Sequence, residues 1–165
     1  MTRADLHSDR PTEPLEVQVE EPSSVDARAC LQAYFAELAA RFEGGFDPAR
    51  ANPLTEQELT PPAGYFIIAR LEGRPVGCGA LKITETKVGE IKRMWTSGPA
   101  RGRGIAGKII GALEEIARGV GIERLRLDTN KALEEAHEFY RRRGYREVER
   151  FNDDPYAHLW FEKRL

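Results

Sequence analysis

The sequence predicts a single α/β domain on a mixed central β-sheet of about six to seven strands, with helices on both faces. Three observations carry that expectation. The length, 165 residues, suits one domain. Apolar residues recur with period two in some segments and with helical spacing in others. Short turns join some strand segments while a helical segment separates others, so antiparallel and parallel pairing are both required.

The elements follow in order. Residues 1–14 are polar, carry both charge signs and lack the apolar stretch of a signal peptide, so they read as a flexible leader before a domain spanning 15–165. Leu15 to Glu20 alternates apolar and polar, as a half-buried strand does. Pro22-Ser23-Ser24 offers capping chemistry for a helix from Val25 to Phe42, closed by Gly44-Gly45. Four of the ten prolines fall between Phe46 and Pro62, which indicates a loop with room for one helical turn. Tyr65 to Leu71 and Val76 to Thr84 form a hairpin about Glu72-Gly73-Arg74-Pro75, and Val88 to Thr96 is the next strand. Ile105, Ile109, Leu113, Ile116, Ala117 and Val120 mark an amphipathic helix. A strand at Arg124 to Asp128, a helix at Glu134 to Arg143 closed by Gly144, and a final strand at Ala157 to Glu162 complete the chain.

Composition excludes several classes. At 41% hydrophobic the chain has enough apolar material for a core, so wholesale disorder is excluded. The net charge is −2, which argues against nucleic acid as a partner. Two cysteines, Cys30 and Cys78, support neither a disulfide framework nor a metal site, and Cys78 between two glycines reads as a small packed residue. No apolar run approaches the roughly 18 residues of a membrane span, so no membrane association is expected and the cytoplasm is the default compartment. The average hides an asymmetry: residues 1–22 hold two basic and six acidic groups, whereas residues 92–108 hold five basic groups and no acid.

That basic stretch contains Arg101-Gly102-Arg103-Gly104-Ile105-Ala106-Gly107-Lys108, between a strand and a helix. Free amides at a helix start, with the helix dipole behind them, form an anion site suited to phosphate or pyrophosphate. Three motifs overlap there. Gly102 to Lys108 spells a near P-loop, but Ile109 stands where Ser or Thr would hold magnesium. Gly102, Gly104 and Gly107 fit a dinucleotide fingerprint, with Asp128 at the distance of a ribose-binding acid. Against that reading, only 37 residues remain beyond Asp128 for further parallel strands.

The third motif is R/Q-x-x-G-x-G/A, matched by Arg101-Gly-Arg-Gly104-Ile-Ala106. With the strand Glu90-Ile-Lys-Arg-Met-Trp-Thr96 before it and Ala136-x-x-x-Tyr140-x-x-x-Gly144-Tyr145 after it, the chain resembles the GCN5-related N-acetyltransferase superfamily from about Leu15 to Leu165. The resemblance implies a GNAT-like fold and acetyl-CoA as cosubstrate, with no metal. It implies that main-chain groups of Met94, Trp95 and Thr96 hold the pantetheine arm. Amides of Arg101, Gly102, Arg103, Gly104, Ile105 and Ala106 would hold the pyrophosphate.

By position in the family pattern, Glu90 is the candidate base and Tyr140 the candidate acid for direct acetyl transfer to a primary amine of a small molecule or peptide. Period two places Glu90, Lys92 and Met94 on one strand face, so Lys92 would keep Glu90 ionised. Where the family often has an Asn contacting pantetheine, this chain has Leu133, with Asn130 displaced by three. His137 reads as a surface helix residue. The acceptor would be read by residues 25–42, 44–62 and 151–160, with Phe35, Phe42, Phe46, Tyr65 and Trp160 as an apolar lining. Glu43, Asp47, Asp153 and Asp154 would attract a cationic amine. Other readings are a non-catalytic acyl-CoA-binding regulatory module and an NAD-binding domain. An edge strand near the C-terminus is compatible with a homodimer.

Overall fold

The computed structural model describes residues 14–165; the expected leader lies outside the described residues except for Pro14. Seven strands and three α-helices follow in the order β1 (Leu15–Val19), α1 (Val25–Arg41), β2 (Gly64–Leu71), β3 (Arg74–Glu85), β4 (Val88–Thr96), α2 (Ile105–Gly119), β5 (Arg124–Thr129), α3 (Glu134–Arg142), β6 (Arg146–Val148) and β7 (Leu159–Arg164). One 3-10 turn, Gln57–Leu59, sits in the proline-rich loop. The sheet order is β1-β2-β3-β4-β5-β7-β6. All neighbours are antiparallel except β4 and β5, which the α2 crossover makes parallel. A dinucleotide-binding domain needs several parallel strands after its glycine motif. Here the strand before the motif belongs to an antiparallel meander.

Local chemistry explains the helices. Ser24 caps α1, its hydroxyl accepting from the Ala27 amide at 3.0 Å, with Asp26 in the first turn and Arg41 in the last. Gly104 caps α2 in the left-handed region at φ +74°, where a Cβ is unfavourable. Two cores result, one on each face. Ile67, Leu81, Ile91, Leu125, Leu127 and Phe161 of the sheet pack with Ile105, Ile109, Leu113 of α2 and Tyr140 of α3. On the opposite face Phe66, Ile68, Cys78 and Ala80 pack with Ala27 and Cys30 of α1. The alternation of neighbouring β2 residues between the two clusters is the period-two pattern made physical.

Three readings need correction. The strand β6 was not anticipated, because three residues cannot display a periodicity. The last strand starts two residues later than expected, because the Ala157 amide bonds back to Asp154 O at 3.1 Å and closes a turn. His137 is not a surface residue: it is 9% exposed and its Nε2 lies 2.8 Å from Asn130 O, tying α3 to the end of β5.

Helix α2 lies flush on β3 because Gly77 has no side chain. A Cβ there would stand 2.8 Å from Trp95 O and 2.8 Å from Ile109 Cδ1. Gly77→Ala should therefore destabilise the fold by about 1–3 kcal/mol through overpacking, read as a lower urea midpoint at unchanged slope. An unchanged midpoint would show that the close approach is not a constraint.

Candidate active site

The site begins where β4 and β5 part. Their ladder runs only from Val88 to Glu90 opposite Arg124 to Arg126. From Ile91 onward β4 pairs with β3, and β5 pairs with β7 as far as Thr129 opposite Leu159. The facing main-chain groups of the two strands thus lose their partners and border a wedge.

A bulge in β4 sharpens the opening. Ala80 faces Lys92 and Cys78 faces Trp95, so Gly79 alone opposes both Arg93 and Met94. Arg93 carries φ +57°, a left-handed value uncommon outside glycine. The extra residue shifts the alternation. Met94 packs with the α2-side core and Trp95 with the α1-side core. This corrects the single face expected for Glu90, Lys92 and Met94: the bulge turns Met94 over and brings Arg93 to the side of α1, where its guanidinium lies 4.7 Å above the Phe35 ring.

The wedge opens into a cleft of about 240 Å³. Its charged end is a three-membered network. Lys92 Nζ lies 2.8 Å from Glu90 Oε2 and 3.7 Å from Asp128 Oδ2, with all three side chains less than one-fifth exposed. Burial opposes the Lys92 charge, but Asp128 and Glu90 together hold its pKa above the ordinary lysine value. Burial pushes the Asp128 carboxyl up, against the pull of Lys92 and of Asn152 Nδ2, which donates to Oδ2 at 2.6 Å. Trp160 Nε1 in turn holds Asn152 Oδ1 at 3.0 Å.

Tyr140 closes the cleft from α3. It is 7% exposed, and its ring packs against Phe139, Tyr145 and Phe161. Burial, reinforced by the negative charge of Asp128, drives its phenol well above the ordinary range. The phenol is therefore protonated, and its hydroxyl has no hydrogen-bond partner among the described residues.

At the far end of β4 the chain crosses into α2. Lys108 N is the first amide of α2 to find a main-chain acceptor, Gly104 O at 3.2 Å. The amides of Gly102 to Gly107 have none among the described residues, and Gly102 and Gly104 take φ +82° and +74°. This is an anion cradle at a helix N-terminus. Arg103 and Lys108 are exposed beside it, while Arg101 forms an ion pair with Glu37 of α1.

The cleft wall gathers Glu90, Met94, Asn130 and Tyr140 of the expected residues; Trp95, Thr96 and the cradle residues lie outside that wall. The Asn130 amide is engaged, donating to Tyr156 O at 2.9 Å and accepting from the Ala132 amide at 2.8 Å. Phe35, Phe42, Phe46 and Asp154 also line the cleft, but Tyr65, Trp160, Glu43, Asp47 and Asp153 do not. Sequence reasoning missed Arg93 and Asn152, and it weighed Asp128 only as a ribose ligand. The alternation Arg124, Arg126, Asp128 on one face of β5 was the available signal for Asp128. A bulge has no such signature.

Comparison with known proteins bears on this geometry. The acetyltransferase (GNAT) family model matches residues 31–145. The chain is 36% identical over 130 residues to the IAA acetyltransferase of Azospirillum brasilense, covering 76% of this chain and 84% of that one. Among solved structures it resembles a protein described as an acyl-CoA N-acyltransferase from Klebsiella pneumoniae, with TM-score 0.77, 27% identity and coverage of 92% and 97%. A GNAT family acetyltransferase from Elizabethkingia anophelis, solved with acetyl-CoA bound, matches with TM-score 0.66 at 15% identity over 92% of this chain and 98% of that one. That last likeness concerns the fold.

Proposed function

The chain belongs to the acetyltransferase (GNAT) family and is an N-acetyltransferase, and from that premise we propose that it moves an acetyl group from acetyl-CoA directly to a primary amine of a small molecule or peptide. The observation that carries the reading is the wedge between β4 and β5, with an amide cradle at one end and a protonated phenol at the other. The free amides of Gly102 to Ala106 hold the pyrophosphate, with the α2 dipole, Arg103 and Lys108 adding positive charge, whereas the Arg101 amide, expected there, is already bonded to Gly98 O at 3.2 Å. The main chain of Met94, Trp95 and Thr96 lies along the pantetheine arm. Asn130 shapes the turn beside that arm through its bonds to Tyr156 and Ala132. The coenzyme supplies an activated thioester carbonyl.

Glu90 takes a proton from the substrate ammonium, exposing the nitrogen lone pair for attack on that carbonyl. Lys92 fixes the Glu90 carboxylate through their ion pair and is itself positioned by Asp128. As the carbon–sulfur bond breaks, Tyr140 donates its proton to the departing thiolate, and the second proton lost by the nitrogen as the adduct collapses restores the phenol. The balance is one ammonium and one thioester giving one amide, one thiol and one released proton. Burial weakens Tyr140 as an acid, but the thiolate leaves into the same dry cleft, where desolvation raises its own proton affinity.

Glu90→Gln should lower kcat about 10²-fold while leaving acetyl-CoA affinity within twofold, measured by thiol release and calorimetry. An unchanged kcat would remove Glu90 from the base role. Thiol release with an amine is also what separates an enzyme from a module that only binds acyl-CoA.

A further inference from the structure

Arg93 has no role in the chemistry above, yet it costs the fold something to place it. Its backbone sits in the left-handed region, a strain of about 1–3 kcal/mol for a side chain other than glycine. Its guanidinium lines the cleft and stacks on Phe35, but it has no carboxylate or hydrogen-bond partner among the described residues. The neighbouring cation differs, since Lys92 is saturated by Glu90 and Asp128. A half-buried guanidinium presents up to five donors in a planar fork matched to an oxyanion, and no acceptor from the described residues meets them here. The strand therefore holds an open anion site one residue from the carboxylate network that would receive an ammonium.

The remaining walls narrow the ligand. Phe35, Phe42, Phe46 and Tyr156 form a contiguous aromatic side, with Phe35 and Phe46 stacked at 5.6 Å and Phe46 and Tyr156 at 4.7 Å between centroids. A space of about 240 Å³ that must also admit the acetyl end of the cosubstrate lies at the small end of ligand pockets. That size favours a small acceptor.

We propose that the acceptor is a free amino acid or close amino-carboxylate with an apolar side group. Its carboxylate is held by Arg93, its ammonium is directed to Glu90 and its side group lies on the Phe35–Phe46–Tyr156 wall. This rests on the acetyltransferase reading and names its substrate class. The anion site fixes one end of the substrate, so the nitrogen is presented to the thioester in one orientation. An amine lacking the carboxylate leaves the guanidinium unpaired and binds without that orientation.

The test is thiol release from acetyl-CoA with two matched pairs, phenylalanine against phenethylamine and alanine against ethylamine. The amino acid of each pair should have a kcat/KM at least tenfold above its partner. Arg93→Met, which keeps the chain length and stacking bulk, should erase that ratio while acetyl-CoA affinity by calorimetry stays within twofold. Arg93→Lys should restore part of it. Equal use of both members of each pair, or a ratio that survives Arg93→Met, overturns the assignment. If no member is acetylated by protein that still binds acetyl-CoA, the acceptor class falls and coenzyme use stands. If acetyl-CoA does not bind, the acetyltransferase reading beneath it falls as well.

Discussion

Tyr140→Phe should lower kcat by about 10²–10³-fold, within the usual contribution of a positioned general acid, and leave acetyl-CoA affinity close to that of the parent. The substitution removes one oxygen and keeps the ring that packs between Phe139, Tyr145 and Phe161. The hydroxyl has no bond to any described residue, so its loss orphans no buried partner. Stability should therefore hold or rise slightly, and the effect should appear in turnover alone. The reference pKa values, ~10 for a phenol and ~8.5 for a thiol, lie near enough for transfer when both groups share one desolvated cleft. Steady-state kinetics at saturating acetyl-CoA, paired with thermal unfolding, decides the matter. Parental kcat in a folded variant would reject Tyr140 as the acid.

Gly104→Val should reduce acetyl-CoA binding by 10²-fold or more, on the order of 3 kcal/mol. Gly104 sits at φ +74° with nothing within 4 Å of a Cβ position, so the obstacle is backbone conformation and not crowding. A β-branched residue in that region is a severe outlier, and the cap relaxes toward negative φ. The amides of Gly102 to Gly107 then lose the shared direction that makes them a cradle. The core contacts of α2 begin at Ile105 and continue through Ile109 and Leu113, so the helix itself should persist. Calorimetry with acetyl-CoA on a variant of near-parental circular dichroism is the measurement. Unchanged affinity would move the pyrophosphate away from this loop.

The element order and much of the site were legible because they rest on local rules. Helix α2 follows from Ile105, Ile109, Leu113 and Ala117 at helical spacing, with glycines ahead of it. Its anion cradle follows from the same glycines. Glu90 beside Lys92 follows from strand alternation, and the ion pair is there at 2.8 Å. Met94 departed from that alternation because a bulge adds one residue to a strand without changing composition or period on either side. His137 was misplaced for a related reason. Its burial depends on where the end of β5 passes, which a helical wheel does not contain.

What the amino-acid sequence determined by itself was the alternation of strands and helices, the parallel pairing forced by the α2 crossover, and the local excess of positive charge at residues 92–108. These depend on periodicity, connection length and charge counting, all properties of neighbours along the chain. Only the tertiary structure decided that β4 leaves β5 after Glu90, that Asp128 joins Glu90 on Lys92, and that Arg93 turns into the cleft above Phe35. Those outcomes depend on contacts between residues tens of positions apart. Such contacts are chosen by packing the whole sheet against two helical layers, and no single segment encodes them.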